Sequence, residues 1–126
     1  MQIKKVCIIG GGLMGRQIAL NTAIYPFEVT VFDANPAVLE DLAKWEDNYL
    51  AGRIAKGRMT EAQVAQIRSR FTICTTLEEA LKDADLVIEA IIERKDIKSQ
   101  VFQQVSALVR EDTIIATTEV TRLVQS

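Results

Sequence analysis

Glycines near the amino terminus have the spacing of a loop that binds phosphate. Gly10, Gly12 and Gly15 fit the pattern G-x-G-x-x-G. In that pattern the first glycine permits a tight turn, the second lets a pyrophosphate approach the backbone, and the third lets a helix pack closely on a strand. The unpaired amides of the first helical turn, including those of Leu13 and Met14, would face the phosphates. The spacing alone is weak evidence, because a purely structural turn is also rich in glycine.

An acid at the expected distance strengthens this interpretation. Asp33 lies 18 residues after Gly15, at the end of the predicted second strand. A carboxylate there can accept a hydrogen bond from a ribose 2′-hydroxyl, and it would repel a 2′-phosphate. No Lys or Arg occurs between Asp33 and Lys44. The sequence therefore predicts a dinucleotide site that takes NAD rather than NADP.

A second group of candidate residues follows the predicted fourth strand. The segment from Glu89 to Glu93 lies at the strand's carboxyl end, where ligands of open parallel sheets bind. A carboxylate there could bond the nicotinamide-side ribose, and Lys98 could steady it. The alternative is an acid at a helix start with a lysine five residues later. The spacing alone slightly favours that alternative.

Strands and helices must alternate to place these residues at one edge. Apolar runs predict five strands, with a helical pair between the second and the third. The alternation of strands and helices predicts a Rossmann-type, doubly wound parallel α/β sheet in one domain. The predicted strands are 6–9, 28–32, 71–74, 86–88 and 113–117, and the helices are 13–24, 36–56, 61 onward, 77 onward and 97–109.

Composition excludes several functions. The chain has 126 residues and a net charge of −2, which argues against charge-driven nucleic-acid binding. No apolar run approaches a membrane span and no leader opens the chain, so the expected compartment is the cytoplasm. Cys7 and Cys74 are expected to be buried, reduced thiols rather than metal ligands. The chain contains no histidine, which removes the commonest general base near neutral pH.

Four segments resemble the amino-terminal half of the 3-hydroxyacyl-CoA dehydrogenases. They are KKVCIIGGGLMGRQIA, VTVFDANPAVLE, KGRMTEAQ and DADLVIEAIIERKDIKSQVF, within a likeness that runs from Lys4 to about Thr117. The family oxidises L-3-hydroxyacyl-CoA to 3-ketoacyl-CoA with NAD, in fatty-acid metabolism. The resemblance implies that Glu93 and Lys98 contact the nicotinamide end of NAD, with Ala90 beside them. It also implies that Lys56 meets CoA, although Tyr49 replaces the serine that usually precedes this lysine.

The resemblance weakens after the fifth strand. The family reads A-T-N-T-S-S-L where this chain reads ATTEVTRL, so Thr118 replaces an asparagine and Val120 replaces a substrate-contacting serine. Thr121 could supply the hydroxyl only by a one-residue slip. The family's catalytic histidine and glutamate, and its helical dimerisation domain, come after this point. We therefore expect a truncated chain that binds NAD without turnover and self-associates through the apolar surface left uncovered.

Two other functions remain open. The chain could be a free-standing NAD(H)- or CoA-binding module without catalysis, which the absence of histidine favours. It could also be part of a sugar-acid dehydrogenase of the gulonate or crystallin type. The charged helical insertion that carries Lys56 suits CoA better than a small sugar acid. No metal, nucleic acid or membrane is expected as a partner.

Overall fold

The structure of the protein, a computed structural model, describes residues 2–91 and 95–118, with the backbone only for 95–98. Its elements are β1 (Lys5–Ile9), α1 (Leu13–Ile24), β2 (Glu28–Phe32), α2 (Pro36–Ala55), α3 (Glu61–Arg70), β3 (Phe71–Cys74), α4 (Leu77–Leu81), β4 (Leu86–Glu89), α5 (Lys95–Leu108) and β5 (Ile114–Thr117). Helices and strands alternate as predicted, and α2 and α3 form the predicted pair between the second and third strands. None of the described helices is long and apolar enough to cross a membrane.

Five parallel strands form one sheet in the order β3-β2-β1-β4-β5. The chain winds outward from β1 to β3, returns to the other side of β1, and continues from β4 to β5. The strand order thus reverses between β1 and β4. Open parallel sheets bind ligands at the carboxyl end of such a reversal. The predicted doubly wound Rossmann-type sheet is confirmed.

The side chains of β1 alternate between two cores, one on each face of the sheet. Val6 and Ile8 pack with residues of α1, α2 and α3, whereas Cys7 and Ile9 pack with residues of α4 and α5. This two-residue period explains why β1 reads as a continuous apolar run, since both faces are covered by helices.

Both cysteines are free and buried, as predicted. Burial is the main cause that raises the pKa of the Cys7 thiol to about 11 and that of Cys74 to about 12. Both side chains therefore remain thiols near neutral pH, and a thiol is a poor nucleophile and a poor metal ligand. Among the described residues, no cluster of three or more His, Cys, Asp or Glu side chains is placed to hold a metal ion.

Side-chain caps fix the starts of the inserted helices. The Asn35 side chain accepts a hydrogen bond from the Ala37 amide at 3.0 Å, next to the proline that begins α2. At α3, Thr60 and Gln63 form a reciprocal capping box. These caps satisfy helix-end amides that would otherwise lack partners.

Asp85 ties the starts of β1 and β4 together at the amino edge of the sheet. Its carboxylate accepts hydrogen bonds from the backbone amides of Lys4 and Lys5 at 2.9 and 3.0 Å, and from Arg110 at 2.5 Å. The Arg110 guanidinium, followed by the two amides, lowers the pKa of Asp85 to about 2. This cluster lies at the opposite edge from the candidate site, which indicates a structural role.

The depressed pKa of Asp85 predicts a pH-dependent contribution to stability. An unfolded aspartate titrates at about 3.9, so below that pH the unfolded chain takes up this proton before the folded chain does. The contribution of Asp85 is therefore present above about pH 4 and is lost as the pH falls towards about 2. We expect Asp85→Asn to lower the urea midpoint at pH 6, and the gap from the wild type to close between pH 4 and 2. Asp112→Asn, which removes the exposed partner of Arg110, is the control. A gap that stays constant with pH would contradict the prediction.

Candidate functional site

The carboxyl ends of four strands are level at one edge of the sheet. In the register, Ile9 of β1 lies beside Phe32 of β2 and beside Glu89 of β4, which in turn lies beside Thr117 of β5. The loops that follow β1 and β4 meet at the reversal of strand order. The predicted glycine and Asp33 positions therefore come together at the predicted edge, and Ala90 comes with them.

The glycine loop (residues 10–15) packs so tightly against its neighbours that two of its positions have no room for a side chain. Gly10 has φ +112°, and a Cβ there would lie 2.9 Å from the Ala90 carbonyl oxygen. A Cβ on Gly15 would lie 1.8 Å from the Gly10 carbonyl oxygen. The first glycine therefore permits the turn and the third lets α1 rest on the end of β1. These are the roles that the G-x-G-x-x-G pattern assigns to them.

Gly12 differs from the other two glycines of the pattern, because a Cβ there would have no atom within 4 Å. Gly12 is the N-cap of α1 and has no side chain to cap the helix. This open position adjoins the first helical turn, whose amides have no partner within the helix and where the positive end of the helix dipole lies. Such a helix start favours an anionic group such as a pyrophosphate.

Asp33 lies directly after β2 and contacts the glycine loop. Its Oδ2 accepts a hydrogen bond from the Gly11 amide at 2.9 Å, and its Oδ1 accepts one from the Asn35 amide at 2.9 Å. A carboxylate offers about four lone-pair positions, so two remain for other donors. Asp33 is only partly buried, and ribose hydroxyls could reach it.

Glu89 is the last residue of β4, whereas the sequence analysis placed it just past a strand ending at Ile88. Its side chain is 2% exposed. The carboxylate accepts hydrogen bonds from the Ile91 amide and, at 3.0 Å, from the Thr117 hydroxyl. Glu89 thus fixes the loop after β4 and joins it to β5. An acid directly after the apolar run Leu86–Ile88 was the available signal, but the sequence does not reveal that Thr117 lies beside it.

Arg16, which the sequence analysis did not single out, is a buried charge in the first turn of α1. Its guanidinium donates two hydrogen bonds to the Gly11 carbonyl, from Nε at 3.1 Å and from Nη2 at 3.0 Å. Its Nη1 forms an ion pair with Asp41 of α2 at 2.9 Å, and its Cζ lies 5.5 Å from the centroid of the Trp45 ring. No short-range pattern pointed to it, because these partners on α2 follow 25 or more residues later.

The structure describes only some of the remaining predicted residues. Glu93, Val120 and Thr121 lie outside the described residues, as does the side chain of Lys98 in α5. Lys56 is the C-cap of α2 and is exposed. Tyr49, which stands where the family has a serine, stacks on Trp45 with ring centroids 5.3 Å apart.

The residues present fit a dinucleotide. The glycine loop offers free backbone space at Gly12 in front of a helix start, and Asp33 offers carboxylate lone pairs at the end of the neighbouring strand. At its three pattern glycines the loop presents backbone atoms only, and packing against Ala90 and Gly10 fixes two of these positions. A pyrophosphate at the loop would leave the ribose of the same nucleotide within the region of Asp33, as in other folds with this strand order.

Comparisons with known proteins agree with this architecture. The family model described as 3-hydroxyacyl-CoA dehydrogenase, NAD binding domain, matches residues 5–125. A protein of Caenorhabditis elegans named as a probable 3-hydroxyacyl-CoA dehydrogenase is 38% identical over 122 residues, which cover 92% of this chain and 39% of that protein. A Bacillus subtilis protein named as a probable 3-hydroxybutyryl-CoA dehydrogenase is 38% identical over 116 residues, covering 92% and 40%. The chain thus spans about 40% of the length of these relatives.

A solved structure supports the same assignment. The crystal structure of (S)-3-hydroxybutyryl-CoA dehydrogenase from Ralstonia eutropha superposes with a TM-score of 0.85 at 31% identity, over 98% of this chain and 45% of that one. The likeness thus includes both the sequence and the path of the backbone, and it extends over the glycine loop, Asp33 and the sheet. The family model that matches almost the whole chain is that of an NAD-binding domain. This chain belongs to the 3-hydroxyacyl-CoA dehydrogenase family and carries its NAD-binding domain.

Proposed function

We propose that this chain holds NAD(H) for the interconversion of an L-3-hydroxyacyl-CoA and its 3-ketoacyl-CoA, and that the 126 residues alone bind the cofactor without turnover. One observation carries the proposal. The glycine loop combines two packed glycines with open space at Gly12, directly in front of the start of α1. Asp33 lies against the same loop through the Gly11 amide.

Turnover requires a chemical group that cofactor binding does not require. A bound NAD would supply the acceptor for the hydride that leaves the carbon carrying the substrate hydroxyl. The hydroxyl proton must go to a base, and in this family a histidine paired with a carboxylate takes it, as the resemblance implies. These 126 residues contain no histidine. In this proposal, the chain's own residues bind and orient the cofactor. The proton-accepting group belongs to another part of a family enzyme.

Further site residues follow from the family resemblance as part of the proposal. Ala90 packs against Gly10 at the reversal of strand order, which is where the middle of a dinucleotide would pass. We propose that Glu93 and Lys98 contact its nicotinamide end. For the acyl-CoA, we propose Lys56 as a contact. Arg53 and Arg58 lie near Lys56 in sequence, so this end of α2 is basic and suits the phosphates of CoA.

Self-association is proposed on the exposed apolar side chains near β5. Phe102, Leu108 and Ile114 are 39%, 46% and 48% exposed. Two of them belong to α5 and one belongs to β5, the strand that follows α5 and forms an edge of the sheet. Burial against a second copy would remove this apolar surface from water. A chain that sediments as a clean monomer at high concentration would contradict the proposal.

A titration with a parallel turnover assay tests the proposed function. NADH added to the purified chain should change the nicotinamide fluorescence in a saturable manner, whereas acetoacetyl-CoA with NADH should leave the nicotinamide absorbance constant. A full-length relative, such as the Bacillus subtilis protein, is the positive control for turnover. Turnover by the 126 residues would overturn the inactivity proposal alone. Absence of NADH binding would overturn the proposed site.

A further inference from the structure

Arg16 holds the backbone on the side of the glycine loop opposite to the expected ligand. Its exposed fraction is only 6%, although arginine is among the residues least often buried. Two of its nitrogens hydrogen-bond one acceptor, the Gly11 carbonyl oxygen. A buried guanidinium needs such partners, because an unpaired buried charge is costly. The side chain is therefore committed to the loop and not to solvent.

Gly11 is held from both of its ends. Its amide donates to Asp33 at 2.9 Å, and its carbonyl accepts the two hydrogen bonds from Arg16. An anion and a cation thus fix a residue that has no side chain of its own. Both contacts involve a charged group, and such hydrogen bonds are stronger than neutral ones.

The peptide between Gly11 and Gly12 links the direction of the Gly11 carbonyl to that of the Gly12 amide, which lies on the side of the expected ligand. The described chain contains no cis peptide bond, so the Gly11 carbonyl and the Gly12 amide point in opposite directions from one rigid plane. With the carbonyl held by Arg16, the amide must point away from it. Within the described residues, no hydrogen bond from the Gly12 amide is seen, and a Cβ on Gly12 would meet no atom.

The far side of Arg16 is anchored on α2. Its Nη1 pairs with Asp41, whose side chain is 70% exposed, and its guanidinium lies over the Trp45 ring. Arg16 is the buried end of this ion pair and Asp41 its solvent-exposed end. The cation–π contact with Trp45 and the two hydrogen bonds together hold the guanidinium with its donors directed at the Gly11 carbonyl.

We infer that Arg16 is a positioning residue for cofactor binding: by holding the Gly11 carbonyl, it orients the Gly12 amide towards the pyrophosphate of NAD(H). The inference rests on the proposed function and adds to it a residue outside the glycine pattern. It also makes α2 part of the cofactor site, because Trp45 and Asp41 hold the arginine from that helix. Arg16 itself does not touch the cofactor in this arrangement.

The test compares three variants by NADH titration and by urea unfolding. Arg16→Met keeps a long apolar side chain over Trp45 but removes all donors, and we expect NADH affinity to fall about tenfold. Arg16→Lys keeps the charge as a compact ammonium group without the planar fork of the guanidinium, and its NADH affinity should fall between those of Arg16→Met and the wild type. Glu40→Gln removes a negative charge from an exposed position of the same helix without changing a partner of Arg16, and its NADH affinity should stay within about twofold of the wild type.

A spectroscopic measurement separates positioning from simple loss of folding. In the amide NMR spectrum of the wild type, saturating NADH should shift the Gly12 amide proton, and in Arg16→Lys the shift should be smaller. A wild-type Gly12 amide that NADH does not shift would overturn the inference, even if Arg16→Met does not fold. So would a folded Arg16→Met with wild-type affinity. A wild type that does not bind NADH at all would overturn the proposed function and this inference together.

Discussion

Gly15→Ala should remove most of the folding stability of this domain. The added Cβ would lie 1.8 Å from the Gly10 carbonyl oxygen and 2.9 Å from its carbon. Both are backbone atoms, so no side-chain rotation relieves the clash, and α1 has to move away from the end of β1. Overpacking in a core costs about 1–3 kcal/mol, and a clash with backbone lies at or above the upper end of that range. We expect a loss of about 3 kcal/mol or more in the free energy of unfolding by urea.

Two matched substitutions separate packing from ligand binding. Gly52 lies inside α2 with nothing within 4 Å of its Cβ position, so Gly52→Ala should stabilise the protein by about 0.5–1 kcal/mol. Gly12→Ala also meets no protein atom and should change the stability by less than about 0.5 kcal/mol. Its methyl group would occupy the space in front of the helix start, and NADH affinity should fall more than about tenfold. A Gly15→Ala protein with an unchanged urea midpoint would contradict the packing argument, and a Gly12→Ala protein with wild-type affinity would contradict the binding argument.

Asp33→Asn should change the preference between NADH and NADPH by about 100-fold. A unit charge pair 4 Å apart near a protein surface interacts by about 4 kcal/mol, and screening reduces this to roughly 2–3 kcal/mol. The wild-type carboxylate repels the 2′-phosphate of NADPH, whereas the amide of asparagine does not. The Asn oxygen can still accept the hydrogen bond from the Gly11 amide, so the glycine loop should keep its conformation, whereas the exposed hydrogen bond from the Asn35 amide is lost.

Fluorescence titration of both dinucleotides measures this preference. Glu40→Gln makes the same charge change at an exposed position of α2 and is the control for net charge. We expect Asp33→Asn to bind NADPH more tightly than the wild type does and NADH somewhat more weakly, with Glu40→Gln close to the wild type in both. An unchanged ratio of the two affinities in Asp33→Asn would show that Asp33 does not face the ribose.

The elements could be predicted from the sequence because local signals define them. The apolar run that ends at Gly10 predicts β1, and the Asn35-Pro36 and Thr60–Gln63 pairs define where α2 and α3 begin. Because strands alternate with helices along the chain, their order was sufficient to predict a parallel sheet. The glycine spacing together with Asp33 then predicted which edge of the sheet binds the cofactor. Each of these signals lies within a few residues of the feature that it predicts.

The contacts that were missed connect distant segments. Arg16 and Trp45 are far apart in sequence, and Glu89 and Thr117 are 28 residues apart. Nothing in the residue types of Arg16 or Thr117 indicates such partners, since an arginine early in a helix is usually a solvated charge. For the same reason, the predicted fourth strand ends one residue before β4 does. The apolar run ends at Ile88, which places Glu89 just past the predicted strand, whereas in the structure Glu89 ends β4 and accepts a hydrogen bond from a hydroxyl of β5.

The central position of β1 has a consequence for the order in which the chain acquires its structure. β1 pairs with β2 after a short separation in sequence, whereas its other side pairs with β4, and the Asp85 contact to the Lys5 amide spans 80 residues. Closing so long a loop is slow compared with forming local contacts. During synthesis, β1 to β3 can therefore assemble while one side of β1 still lacks its neighbour. Gly10 contacts Ala90 only when β4 has paired with β1, so the glycine loop acquires its full set of neighbours later than the pairing of β1 with β2.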